Sequence, residues 1–207
     1  MKAVSDEGGA ASGAAGWHEL VFARRGTLLA IPAVLLVAFG KPSKRSLAGG
    51  LTVALAGEAI RCWAVGYSGA TTRADRVTAP ALVTAGPYAY VRNPLYVGNL
   101  VTGLGFTIAF TGANRRRVRV GLAALGLGTM LAVYTAIVPH EERFLRERFG
   151  ADFDDYAARV PRIVPRLRPS GPQSGSYDRS VIAKAESRTF MTFGAMLAVL
   201  ALKVARY

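Results

Sequence analysis

Residues 120–138 contain no charged side chain, yet four arginines crowd residues 115–119 just before them and mixed charge sets in directly after Pro139. About 20 helical residues cross a hydrocarbon core about 30 Å thick, so a block of this length between charged flanks is predicted to be a transmembrane helix. Three further blocks have related character. Residues 26–40 are short for a span unless the helix begins near Trp17 and lets Arg24 and Arg25 snorkel to the interface. Lys41, Pro42, Lys44 and Arg45 form a basic turn, after which residues 47–67 make a second span and residues 95–111 a third. Residues 190–202 return to apolar character, but at 13 residues they fit a tilted or interfacial helix as well as a span. The expected fold class is all-α: a polytopic integral membrane helical bundle of four or five transmembrane helices.

Charge then decides between partners. The chain carries 26 Lys and Arg against 13 Asp and Glu, a net charge of +13. Such an excess suits nucleic-acid phosphates, but these arginines flank apolar blocks as headgroup anchors do and form no stripe with interleaved aromatics. Membrane lipids are therefore the expected partners, and nucleic acid is not. Cys62 is the single cysteine and lies inside an apolar block, which rules out an intrachain disulfide and a Cys-based metal site; no metal is expected. Residues 1–16, small and Gly/Ala-rich, lack the charged-then-apolar order of a signal peptide and are expected to be a disordered leader, with residues 17–207 forming one membrane domain.

Several features inside the blocks ask for partners. Glu58 and Arg61 are three residues apart on one helical face of the second span, where they can pair and lower each other's cost in lipid. A functional role and a packing salt bridge both fit them. Gly98, Gly103 and Gly105 allow close helix approach or close approach of a ligand. Residues 68–93, with Thr, Gly, Pro and Arg, read as a loop with room for a short interfacial helix. After Pro139 the charged residues 140–168 carry Phe144, Leu145, Phe149, Phe153 and Tyr156 at roughly helical spacing, the pattern of an amphipathic, water-facing helical region. Pro161, Pro165 and Pro169 interrupt it, and residues 172–176 read as a flexible connector. A cytosolic N-terminus gathers Arg24, Arg25, Arg73, Arg76, Arg92 and residues 140–168 in the cytosol, although it leaves two basic turns outside.

Two segments sit at the mouths of spans: GPYAYVRNPLYVGN at residues 86–99, and HEERFLRERFGADFDDYAARVPRIVPRLRP at residues 140–169. An antiparallel hairpin of the third and fourth spans puts both on one membrane face. The first resembles the G-P-Y-x-Y-x-R-H-P-x-Y-x-G signature, and the second resembles the E-E-x-x-L/F…F-G-x-x-Y/F-x-x-Y…P-R-x-x-P tail, of isoprenylcysteine carboxyl methyltransferases and the related phospholipid N-methyltransferases. The resemblance is best over residues 82–168. It implies a membrane enzyme that binds S-adenosylmethionine between the two motifs and methylates an acceptor arriving from the lipid. Carried over by position, it implies cofactor contacts by Arg92, Pro94, Tyr96 and Gly98, and by Glu141, Glu142, Tyr156 and Arg162. Asn93 departs from the family's His; Asn can orient a ligand through hydrogen bonds but cannot transfer a proton.

The residue chemistry agrees with that cofactor. Its ammonium and ribose hydroxyls call for an acid, Glu141 or Glu142; its carboxylate calls for a base, Arg92 or Arg162; its adenine calls for an aromatic slot, Tyr88, Tyr90 or Tyr96. Methylation of a carboxylate needs positioning and exclusion of water rather than a general base, because the nucleophile is already ionised. An amine or thiol acceptor would have to lose a proton, and His140 is the available group. Arg92, Glu142 and His140 are thus the candidate catalytic residues, and Asn93 and His140 join the cofactor set. The expected function is S-adenosylmethionine-dependent O-methylation of a lipid-like or prenylated carboxylate. An N-methyltransferase and a non-catalytic membrane scaffold are the alternatives. Ala, Arg and Gly usage suits a bacterial protein, so an inner membrane is expected, and the distribution of basic residues puts the active site toward the cytosol.

Overall fold

The computed structural model describes residues 9–69 and 80–206, with side chains described from Arg24 onward. The described residues form helices and connecting turns, with no strand among them. Five long helices carry the architecture: α1 (Gly9–Phe39), α2 (Lys44–Ser68), α3 (Pro94–Thr111), α4 (Arg116–Phe149) and, after the short α5 (Ala151–Arg159) and α6 (Ile182–Ala185), α7 (Ser187–Val204). Of the leader expected over residues 1–16, residues 1–8 lie outside the described residues, and α1 takes in the remainder from Gly9.

Three helices, Pro94–Thr111, Arg116–Phe149 and Ser187–Val204, are long and apolar enough to cross a membrane. α7 corrects the reading of residues 190–202 as short of a span, because the helix starts three residues earlier and ends two residues later. α2 forms a helix where the second span was expected, but with Glu58 and Arg61 inside it α2 is not one of those three. Pro139 does not end a helix either. α4 runs through it, so the apolar block and the first ten residues of the charged segment behind it are one continuous helix.

α2 and α3 lie against each other along two stripes of small residues. Gly50, Ala54 and Gly57 on α2 face Gly98, Gly105 and Ala109 on α3, and a Cβ built on Gly105 would come within 2.6 Å of Ala54 Cα. Backbones this close leave no room for a larger side chain, which is how membrane helices associate without a hydrophobic driving force. At one end of the bundle the two basic turns interlock. Asn114 Oδ1 accepts from the Lys41 backbone N–H at 2.6 Å, Asn114 Nδ2 donates to Phe39 O at 2.9 Å, and Lys203 Nζ of α7 donates to Gly40 O at 2.8 Å. The opposite end holds both motif segments.

The chain after α5 is pinned rather than loose, which corrects the expected flexible connector at residues 172–176. Thr84 and Ala85 N–H both donate to Ser174 O, the Ser174 N–H returns a bond to Thr84 Oγ1 at 2.8 Å, and Thr84 Oγ1 donates to Pro172 O. Asp178 N–H then donates to Gly66 O at 2.7 Å, and the Tyr177 ring packs on Gly66 and against Tyr67 at 5.5 Å between centroids. Prolines and glycines predicted a mobile segment; the partners that hold it belong to residues about 90 positions earlier.

Candidate active site

Pro94 occupies the first turn of α3, where the missing N–H costs nothing, and the 3-10 turn Gly86–Ala89 delivers the chain to it. Gly86 has φ of +61°, a left-handed conformation that glycine adopts without strain, and the Tyr67 ring fills the space a Cβ would need. This turn aims Arg92 across the mouth of the bundle at α4 and α5.

Arg92 Nε donates to Glu142 Oε1 at 2.9 Å, and its Nη1 donates to two carbonyls at the end of α5, Ala157 O at 2.8 Å and Val160 O at 2.6 Å. One side chain therefore pairs with a carboxylate and caps a helix C-terminus. Arg162 approaches the same carboxylate from the other side, with Nη2 2.6 Å and Nε 3.0 Å from Glu142 Oε2. Glu142 is buried, and both its oxygens are taken by guanidinium groups. Arg162 is half exposed, so it presents charge to the outside of the cluster.

The neighbouring acid is placed differently. Glu141 Oε1 accepts from the Tyr96 hydroxyl at 2.8 Å, and the Tyr96 ring lies 4.5 Å from that of Tyr134. Arg25 of α1 acts electrostatically on both Glu141 and Tyr96. It was read only as an interfacial anchor, because nothing in a sequence shows that α1 leans on this part of α4. His140 is half-buried on the same turn. Asn93 Nδ2 donates to Arg162 O at 3.0 Å, and Arg92 N–H donates to Pro161 O at 2.8 Å, so the two motifs are stitched together by backbone as well as by charge.

Tyr156 is buried beside Phe153 and Val160 and donates its hydroxyl to Tyr88 O at 2.9 Å. Burial pushes the Tyr88 phenol up to about 12 and raises Tyr156 as well, so both stay neutral and serve as hydrogen-bonding posts. Gly98 faces away from this cluster. A Cβ there would meet Arg61 Cγ at 2.6 Å, which makes Gly98 part of the α2–α3 contact. Acids at 141 and 142 do not begin a helix, since α4 is already about seven turns long when it reaches them; their placement reflects the cluster and owes nothing to a helix N-terminus. Among the described residues no three His, Cys, Asp or Glu side chains gather as a metal ion would need.

A second group of polar residues lies deeper. Arg61 Nη2 donates to both carboxylate oxygens of Glu186, at 2.9 and 2.7 Å, and to Thr189 Oγ1 at 3.3 Å, while Nη1 donates to Asn99 Oδ1. Glu58 stands on its other side, with Oε2 3.9 Å from Arg61 Nε. The expected Glu58–Arg61 pair is thus the weaker of the two contacts. Glu186 was not anticipated, because 125 residues separate it from Arg61 and no periodicity links them.

Residues 46–152 match the family model described as phospholipid methyltransferase, which is more than half of the chain. The chain belongs to the phospholipid methyltransferase family. The resemblance to isoprenylcysteine carboxyl methyltransferases is supported by a relative: protein-S-isoprenylcysteine O-methyltransferase B of Arabidopsis thaliana is 28% identical over 121 residues, covering 56% of this chain and 57% of that protein. The nickel-cobalt-cadmium resistance protein NccN of Alcaligenes xylosoxydans xylosoxydans is 33% identical over 132 residues, 61% of this chain and 56% of its own length. The cobalt-zinc-cadmium resistance protein CzcN of Cupriavidus metallidurans is 43% identical over 86 residues, 42% of this chain and 36% of its own. The chain thus spans roughly half or less of these relatives. No solved structure matches it. Membership of this methyltransferase family and three apolar helices make the chain an integral membrane protein.

Proposed function

We propose that the protein is an S-adenosylmethionine-dependent membrane methyltransferase acting on a lipid-like acceptor, with α1, α2, α3, α4 and α7 as five spans and the motif face toward the cytosol. One observation carries this reading: two motifs about 50 residues apart converge on Glu142 through Arg92 and Arg162, beside a Tyr96–Glu141 pair, at the mouth of an apolar bundle.

The donor set fits the cofactor. Arg162, half exposed, can take the carboxylate of the amino acid head; Arg92 is largely committed to Glu142 and the end of α5. Glu141 keeps one oxygen for the ammonium or a ribose hydroxyl, whereas Glu142 acts as the post that aims both arginines. Pro94 and Tyr96 set the wall on the α3 side, whereas Gly98 serves the α2–α3 contact, and Asn93 orients Arg162 by donating to its backbone carbonyl in the place where the family has His. The bound cofactor supplies an electrophilic methyl group on a sulfonium. The protein's part is orientation and exclusion of water, which suit an in-line transfer. His140, next to the pair, is the proton acceptor for an acceptor group that is not already ionised.

Isothermal calorimetry of S-adenosylmethionine and S-adenosylhomocysteine with detergent-purified protein tests this. Wild type should bind both, and Glu141→Gln and Arg162→Ala should each weaken binding about tenfold, the loss of one charge-assisted contact. Correctly folded wild type that binds neither compound would end the methyltransferase reading.

A further inference from the structure

Below the motif cluster, α1, α2, α3, α4 and α7 line a half-open cavity of about 280 Å³. Its upper end is polar, lined by Glu58, Arg61, Asn99 and Tyr134, and the rest is mainly apolar, with Phe106 on α3 and Phe193 and Met196 on α7 among a few threonines. Tyr134 is buried, and its hydroxyl makes no well-formed hydrogen bond, although the Asn99 side chain is close enough to act on it. A buried hydroxyl in that state is a standing site for a ligand group that can complete it. The Tyr134 ring also packs on Tyr96, whose hydroxyl bonds Glu141, so the polar end lies one side chain from the proposed cofactor site.

Two physical limits define what fits. Ligand cavities commonly run roughly 300–1,000 Å³, so this one is at the small end and has room for one chain rather than two. Arg61, the cation in its wall, is already held by both oxygens of Glu186 and by Asn99, with Glu58 on its far side. A carboxylate entering here would stand beside two carboxylates and would have to break a buried ion pair. A neutral hydroxyl meets no such penalty, and it can bond Tyr134, Asn99 and Glu58. α7 lies outside the residues 46–152 that match the family model, so this restriction is built by a part of the chain beyond the family match.

We propose that this cavity is the acceptor pocket and that it takes a single-chain lipid with an uncharged hydroxyl head, an alcohol or a phenol, in preference to a carboxylate or a two-chained phospholipid. Naming its ligand an acceptor rests on the methyltransferase reading, in which the hydroxyl oxygen bonds the methyl carbon as the sulfonium C–S bond breaks and the hydroxyl proton passes to His140; the pocket and its ligand class do not rest on it. Gly126 supplies the means of closing it, because it lines the cavity and a Cβ built on it meets nothing within 4 Å.

The test uses a ten-carbon primary alcohol carrying a diazirine in its chain, photo-cross-linked to the full-length protein in phosphatidylcholine nanodiscs and mapped by mass spectrometry. Label should concentrate on α4 around residues 126–134 and on α7 around residues 189–196, despite the excess of two-chained lipid. Decanol should compete at least about tenfold better than decanoate at pH 8. Gly126→Leu, checked by an unchanged unfolding temperature, should abolish the label, and Tyr134→Phe should cut the advantage of decanol about tenfold. Label spread over the lipid-facing surface, equal competition by decanoate, or label that persists in folded Gly126→Leu would overturn the inference. S-adenosylmethionine binding is titrated separately, so a labelled pocket in a protein that binds no cofactor refutes the methyltransferase reading and leaves the pocket standing.

Discussion

Glu141 and Glu142 are adjacent in sequence and differ in every physical respect that matters to a site. Glu142 is buried under two guanidinium groups, so Glu142→Gln should leave two charges poorly compensated and cost about 3 kcal/mol of stability. Glu141→Gln removes the charge but keeps an oxygen that can accept from the Tyr96 hydroxyl, so it should leave the unfolding free energy within about 1 kcal/mol of wild type while still weakening cofactor binding. Denaturant titration of both variants beside calorimetry separates the post from the ligand-binding acid, and equal destabilisation of the two would contradict the assignment. Arg92→Lys is a third probe. A lysine cannot pair with Glu142 and cap Ala157 O and Val160 O at once, so hydrogen exchange in α5 should quicken even though the charge is kept.

At the scale of elements, the α2–α3 contact and the pinned segment after α5 carry the architecture. Gly57→Leu or Gly105→Leu would drive a side chain into backbone on the facing helix and should destabilise the bundle by at least about 2 kcal/mol, read by unfolding in mixed micelles. A variant as stable as wild type would mean the helices are not in contact there. The stripes of small residues were half legible: Gly98 and Gly105 announced close approach, but its object, α2 or a ligand, was decided by packing. Tyr177 is the corresponding anchor of the later segment, and Tyr177→Ala should release residues 172–178 to rapid exchange without disturbing α2.

For the whole molecule, the interlocked basic turns at one end and the motifs at the other divide the protein into two faces. A cytosolic motif face predicts the outcome of labelling with a membrane-impermeant maleimide. With Cys62 replaced by alanine, Leu167→Cys, which is 99% exposed, should react in inverted vesicles and not in intact cells. The reverse pattern would invert the proposed orientation and require the cofactor to be supplied from outside.

Composition and local pattern were enough to determine that this chain is helical and membrane-embedded. Uncharged blocks of about 20 residues have one low-energy environment, in which backbone hydrogen bonds close within the helix. The motif residues also stood out, since their order and spacing match the two family signatures at the mouths of spans. What a linear pattern could not encode was which of them meet. That Glu142 is shared by Arg92 and Arg162, that Arg61 pairs more closely with Glu186 than with Glu58, and that α7 and Tyr134 line one cavity follow from helix packing over separations of 20 to 125 residues. A buried charge takes the best partner that the assembled bundle brings to it, and only the tertiary structure decides which one that is.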